Sequence, residues 1–148
     1  MDGARDGIPA LSSNLESPRA ADTIDLHVHS TASDGSVAPE VVVKRAVAAG
    51  LRAVALTDHD TLAGVPDAMA AGERLGIRVV GGCEFSAAAP WGEMHVLGYF
   101  LPASSPALEG FLQRCRADRV RRAQEMVQQL QRLGIDISFD SVLLESAG

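Results

Sequence analysis

Two histidines stand one residue apart in DLHVHSTASDG, residues 25–35, in a chain of 148 residues that holds only four. A strand turns successive side chains to opposite faces, so His27 and His29 point to one side of any strand through them. That is the geometry for two ligands on one metal ion. The remaining histidines are His59, in LTDHDT, and His95, in GEMHVLGYF. Asp34 lies in the SDG that follows the first pair, and Glu84 in GGCEFS. A single imidazole is most simply a side chain with a hydrogen-bond partner, and His95 taken alone reads that way. Six such groups, each near the end of an apolar run, read together as one metal site. Imidazole and carboxylate donors without thiolate suit zinc, manganese or iron.

The elements that must position these groups follow from periodicity. TIDLHVH (23–29), LRAVALT (51–57), IRVVGGCEFS (77–86) and EMHVLGYF (93–100) are short β-branched or apolar runs and predict strands. Residues 39–50 and 66–76 predict helices, with Pro39 suited to a first turn and Gly50 and Gly76 to the stops. Strand and helix in alternation imply a mostly parallel sheet or barrel, its strands covered on both faces. In such folds the C-terminal strand ends share one rim, where sites are built. His27, His29, Asp34, His59 and Glu84 fall at or just past such ends.

From Pro106 to Leu133 runs one long helical pattern, with Gly134 as its stop. Its projected apolar stripe is Leu108, Leu112, Cys115, Ala123, Met126, Leu130 and Leu133. Arg119 falls within the stripe, Arg116 and Arg122 flank it, and Arg114 and Arg121 face away. A guanidinium among apolar neighbours wants an anion. For Arg119 that anion is either a substrate phosphate or a structural partner such as Asp118 or Glu125; the exposed arginines read as a solvated face. Trp91 either stacks on a base or packs over a strand end, and Glu93 either approaches the metals or is a loop acid. Residues 1–22, rich in Gly, Ala, Ser, Pro and Asp, predict a flexible tail. Residues 135–148 predict a short extended or helical beginning of a further element.

Composition narrows the class. Hydrophobic residues make up 47% and aromatics only 4%, so the core must be aliphatic. A formal net charge of -6 argues against a general nucleic-acid surface. Cys83 and Cys115 form no CxxC pattern and predict reduced core thiols. No apolar run approaches the ~18 residues of a membrane span. The first residues lack the basic head and apolar run of a signal peptide, which implies a cytoplasmic location.

DLHVHSTASDG, LTDHDTLAG, GCEFSA and HVLGYF resemble, in order, the motifs of the PHP domain, the polymerase and histidinol phosphatase superfamily. The likeness spans about residues 23–145 and is greatest to the small stand-alone metal-dependent phosphoesterases. It implies an α/β fold, the N-terminal part of a distorted (β/α)7 TIM-like barrel. Residues 23–104 would carry strands one to four with the metal motifs, and residues 105–148 the long helix and the start of a helical insertion. It also implies up to three divalent ions at the strand ends. His27 and His29 would bind the first with Glu84, Glu84 would bridge to a second held by His95, and Asp34 and His59 would bind the third. Asp34 and His59 would act in catalysis through that metal. Asp58 would orient a neighbour from behind the ligands, or is a turn acid. In the family each ion takes a further ligand from one later histidine or a later Asp-x-His pair. No histidine follows His95 here, so the chain is expected to be the N-terminal part of a longer protein, or a truncated product.

The activity implied is hydrolysis of phosphate monoesters on nucleotides, either nucleoside monophosphates or 3',5'-bisphosphates, or trimming of RNA 5' ends. Its partner is a small phosphorylated substrate, with no membrane and no general nucleic-acid binding. Histidinol phosphatase is a less fitting branch of the superfamily, since its members usually have histidine where this chain has Asp34. Two non-enzymatic roles also match the motifs: a module attached to a DNA polymerase, and an inactive half-barrel. An open barrel edge, with its unpaired backbone groups, predicts self-association.

Overall fold

The computed structural model describes residues 23–102 and 105–146; the tail expected over 1–22 lies outside them. Eight elements follow in order: β1 (Ile24–Val28), α1 (Pro39–Ala48), β2 (Ala53–Leu56), α2 (Val65–Leu75), β3 (Arg78–Ala89), β4 (Gly92–Tyr99), α3 (Pro106–Arg132) and α4 (Phe139–Ser146). The four strands form one sheet in the order β1-β2-β3-β4.

The first half is built from local signals. Pro39 opens α1 in its first turn, where its missing N–H costs nothing. Val42, Val43 and Ala46 form its buried face. In α2 the buried face is Val65, Ala68, Ala71 and Gly72. Gly76, at φ 70°, closes α2 in the left-handed region, which a side chain would resist. These faces meet Val54, Leu56 and Ile77 in one aliphatic cluster. β2 is buried at every residue, as a strand enclosed on both faces must be.

One expectation needs correction. The alternation of strand and helix predicts a β1 covered on both faces, yet Ile24 is 51% exposed and Leu26 39%. Among the described residues β1 is an edge strand, with no neighbour beyond it in this sheet. The sheet is mostly parallel, as expected, with one antiparallel pair. β1, β2 and β3 pair in parallel, but β3 and β4 pair antiparallel over eight residue pairs, from Gly82–Tyr99 to Ala89–Gly92. Only Pro90 and Trp91 separate the two strands. So short a link permits a hairpin and no crossover helix. His95 therefore lies inside β4 opposite Ser86, not at a strand's C-terminal end.

The sheet curls strongly. β1 and β4 are three strand spacings apart, about 14 Å if the sheet were flat. Yet the Tyr99 hydroxyl donates to the Leu26 carbonyl at 3.0 Å. A sheet curled this far is a half-barrel, in keeping with the expected N-terminal part of a TIM-like barrel.

α3 opens on Ser105, whose Oγ accepts from the Leu108 N–H at 3.3 Å. Its buried residues are Leu112 and Val127, while Met126 is 58% and Leu133 78% exposed. The rest of the projected stripe packs as expected, with Leu108, Cys115, Ala123 and Leu130 half-buried. Its first third meets the sheet, where the Phe111 and Phe85 rings lie 5.9 Å apart, and Met126 and Leu133 at its far end stay in solvent. Residues 139–146, for which extended and helical forms were both open, form helix α4. No helix among the described residues is long and apolar enough to cross a membrane.

Both cysteines are free. Cys83 has no exposed surface, and burial pushes its thiol up to about 12. Reaction requires an accessible thiolate. In the native protein Cys83 is expected to resist an aromatic disulfide reagent at pH 8, while the partly exposed Cys115 reacts slowly. Mass mapping of the labelled peptides checks this; rapid native labelling of Cys83 would contradict the packing of β3.

Candidate metal centre

The loop after β1 and the loop after β2 are welded together by one buried carboxylate. Asp58 Oδ1 accepts from the Ser30 N–H at 2.7 Å and the Ser33 hydroxyl at 2.8 Å. Its Oδ2 accepts from the Ser30 hydroxyl at 2.7 Å. Asp58 and Ser30 are both essentially without exposed surface. A buried carboxylate persists only when its lone pairs are used, and here three donors use them. Asp58 thus holds the loop that carries Asp34.

A second weld joins the β2 loop to β3. His59 and Glu84 form an isolated parallel bridge. The Glu84 N–H donates to the Asp58 carbonyl at 3.2 Å, and the Asp60 N–H to the Glu84 carbonyl at 3.0 Å. Asp60 has φ 51°, unusual for a residue with a side chain. Its carbonyl accepts from Arg116 Nη1 of α3 at 2.7 Å, and its Oδ1 from the Ser86 N–H at 2.9 Å. Sequence reasoning misses both Asp60 and Arg116 in these roles. No local signal could reveal a contact between residues 56 positions apart.

Glu84 is the hub. Its Oε2 lies 2.7 Å from His27 Nε2, 2.9 Å from His29 Nε2 and 3.7 Å from His59 Nε2. Its Oε1 lies 2.8 Å from His95 Nδ1. Asp34 faces the other side of the cluster, 2.8 Å from His29 Nδ1 and 3.6 Å from His59 Nε2. The four rings follow one another at centroid separations of 5.1, 4.7 and 4.9 Å, in the order His27, His29, His59, His95. All six predicted donors are thus brought together. Three groups have donor atoms within 4.8 Å of one another: His27–His29–Glu84, His29–Asp34–His59 and His59–Glu84–His95.

The electrostatics suit cations. Burial pushes the Glu84 carboxyl up, but hydrogen bonds from His27 and His95 and the charge of His59 outweigh it, leaving it below its ordinary value. Asp34 behaves alike: burial raises it, and His29 and His59 bring it down further. For His59, burial and then the charge of Arg119 push the imidazole down, so it is neutral at pH 7 with a free lone pair. His59 Nδ1 is buried without a hydrogen-bond partner. Lone pairs from four rings and two ionised carboxylates need something positive among them, and a cluster of divalent ions fits.

The residues around the cluster depart from several expectations. Asp118 and Glu125, the acids suggested for Arg119, pair instead with Arg121. Among the described residues no carboxylate pairs with Arg119, whose charge is felt at His59. Arg116 and Arg122 are not merely solvated, since Arg116 holds Asp60 and Arg122 lies 2.9 Å from Glu93. Trp91 is 81% exposed, so it does not pack over the strand end. Glu93 belongs to none of the three donor groups. Its carboxyl is held down to about 2, chiefly by the Arg122 guanidinium.

Comparison with known proteins places these motifs in context. The PHP domain profile matches residues 25–98. A 5'-3' exoribonuclease of Haemophilus influenzae is 39% identical over 116 residues, covering 78% of this chain and 42% of that protein. A 3',5'-nucleoside bisphosphate phosphatase of Chromobacterium violaceum is 39% identical over 122 residues, covering 81% of this chain and 42% of its own length. The crystal structure of a candidate metal-dependent phosphoesterase from Bifidobacterium adolescentis superposes with a TM-score of 0.74 at 33% identity, over 85% of this chain and 44% of that one. The chain spans about two fifths of the length of the curated relatives it matches.

Proposed function

The chain belongs to the PHP domain family, whose relatives here are metal-dependent phosphoesterases, and on that premise we propose that it is the metal-binding part of an enzyme hydrolysing phosphate monoesters of nucleotides or of RNA 5' ends. One observation carries the reading: Glu84 gathers His27, His29 and His95 within 2.9 Å, with Asp34 and His59 completing the set. His27, His29 and Glu84 would hold one ion, Glu84 and His95 a second, and Asp34 and His59 a third. Manganese, zinc or iron all suit these donors. Divalent ions there would neutralise phosphoryl charge and activate water near neutral pH. The chain's own residues have other tasks. Asp58 keeps the Asp34 loop in register, and Arg119 supplies a guanidinium for a substrate phosphate. In the reaction a water oxygen bonds to phosphorus as the ester P–O bond breaks, releasing inorganic phosphate. No side chain is needed as general base.

We further take residues 23–104 as the unit that carries the ligands and 105–148 as the beginning of an insertion. A reducing, cytoplasmic location agrees with two unpaired thiols. The chain's short span of its relatives supports a second reading, in which the site needs residues this chain does not supply.

Phosphate release from adenosine 3',5'-bisphosphate with Mn²⁺, beside a His27→Ala control, decides between the two. Release that disappears in the control supports hydrolysis by these residues. Release equal to the control, from a folded chain that binds Mn²⁺, overturns that reading for this chain in favour of the incomplete site.

A further inference from the structure

Resting on the metal reading above, we propose that Glu93 and Arg122 form a positioning pair that decides which ring nitrogen His95 offers to the centre. His95 sits between two carboxylates. Its Nδ1 is 2.8 Å from Glu84 Oε1, and its Nε2 is 3.3 Å from Glu93 Oε1. Glu84 belongs to the donor groups and Glu93 does not. The two nitrogens of the ring therefore meet acids with different tasks.

Glu93 and His95 are two residues apart on β4, so their side chains leave one face of the hairpin. An ionised carboxylate can only accept a hydrogen bond. Alone, Nδ1 lies within hydrogen-bond distance of Glu84 Oε1; with an ion held by Glu84 the Nδ1 lone pair would face that ion, and Glu93, an acceptor beside Nε2, would then keep the ring proton on Nε2. Carboxylates behind ligating histidines set the tautomer in this way.

Glu93 could not do this unaided, because it is an exposed side chain with several rotamers. Arg122 removes that freedom. Its Nη2 lies 2.9 Å from the same Oε1 that faces His95. Asp118 of the same helix adds its charge, with Oδ2 3.6 Å from Nε, beyond hydrogen-bond reach. A surface ion pair serving only itself contributes ~0–1 kcal/mol, and nothing would require it to share an oxygen with a ligand histidine. Arg122 lies on α3, beyond the stretch 25–98 that carries the family motifs. Helix and centre are thus joined through the path Arg122, Glu93, His95, Glu84.

The test is zinc titration of the metal-free chain against a competing chromophoric chelator, for wild type, Glu93→Gln and Arg122→Met. Long-range ¹H–¹⁵N spectra of the zinc-loaded proteins locate the His95 ring proton. Wild type is expected to carry that proton on Nε2. Glu93→Gln should lose about 10–100-fold in affinity for one zinc ion and leave the others unchanged. Its Nε2 proton signal should shift or exchange with solvent. Arg122→Met, which keeps the apolar stem, should move both readouts the same way by less, and serves if the first variant fails to fold. A wild-type proton on Nδ1, or unchanged zinc affinity in both variants, overturns the proposal alone. A folded wild type that binds no zinc overturns the metal reading, and this proposal with it.

Discussion

Glu84→Gln is expected to abolish metal binding at two of the three donor groups, because both share that one carboxylate. The change is nearly isosteric, but it removes the negative charge and replaces one acceptor oxygen by a donor NH₂. His27 and His29 would then have no anion between them, and His95 Nδ1 would face an amide. Loss of a supporting residue behind a metal ligand costs ~10–100-fold in affinity, so loss of the shared ligand should cost at least about 100-fold. At most the His29–Asp34–His59 group keeps its donors. Some stability should go as well, because the variant loses the interactions with His27, His59 and His95 that outweigh burial and hold the carboxyl below its ordinary value. Native mass spectrometry that counts bound Mn²⁺ or Zn²⁺ ions, with circular dichroism alongside, reads both effects. A folded variant retaining the wild-type number and affinity of ions would dismiss Glu84 as the hub.

The second large effect is expected at Gly35, the last residue of the SDG motif. A Cβ there would come within 2.5 Å of the His29 carbonyl oxygen, 2.6 Å of its carbon and 2.7 Å of the Ser30 Cα. All three are backbone atoms, and none can swing away. The tight turn is closed by the Gly35 N–H donating to the Ser30 carbonyl at 2.9 Å. Gly35→Ala must therefore push the turn apart, at a cost of about 1–3 kcal/mol or more by analogy with overpacked cores. The displaced residue is Asp34, so the His29–Asp34 contact goes as well. The expected result is a lowered Tm together with one fewer bound ion. Gly76→Ala is the comparison. Gly76 has a positive φ but open space around it, so the change should cost about 1 kcal/mol and leave ion binding untouched. Equal behaviour of the two variants would mean that Gly35 is a turn glycine like any other, with no bearing on the centre.

How much the residues disclose depends on range. The β1–α1–β2–α2–β3 succession is legible because each element announces itself within a dozen residues, through apolar period and a closing glycine. The six donors are legible because histidine is so scarce. The hairpin is not. β3 runs on through Ala87, Ala88 and Ala89, and alanine is a poor strand former. A strand ended at Ser86 leaves a six-residue gap before Glu93, and that gap conceals a two-residue turn. The packed side of α3 is largely legible, but its limits are not, since Met126 and Leu133 look as apolar as Leu112 and Val127. Which of them is buried depends on where the sheet ends, and no helical period carries that. The arginine contacts lie furthest out of reach. Arg116 to Asp60 and Arg122 to Glu93 join residues 56 and 29 positions apart, and their geometry exists only once β4 and α3 have met.

The hydrogen bond from Tyr99 to Leu26 has a consequence for optical spectroscopy. Tyr99 is the one tyrosine of the chain and Trp91 its one tryptophan. They stand at opposite ends of β4, the first tied to β1 and the second in solvent at the hairpin tip. Tryptophan emission thus comes from a single wet indole two residues from Glu93, and its colour follows events at the tip. The phenol signal follows the curl of the sheet, because opening the sheet frees the hydroxyl from its carbonyl. The strand that bears His95 carries its own fluorophore at each end, with no third emitter of either kind to blur them.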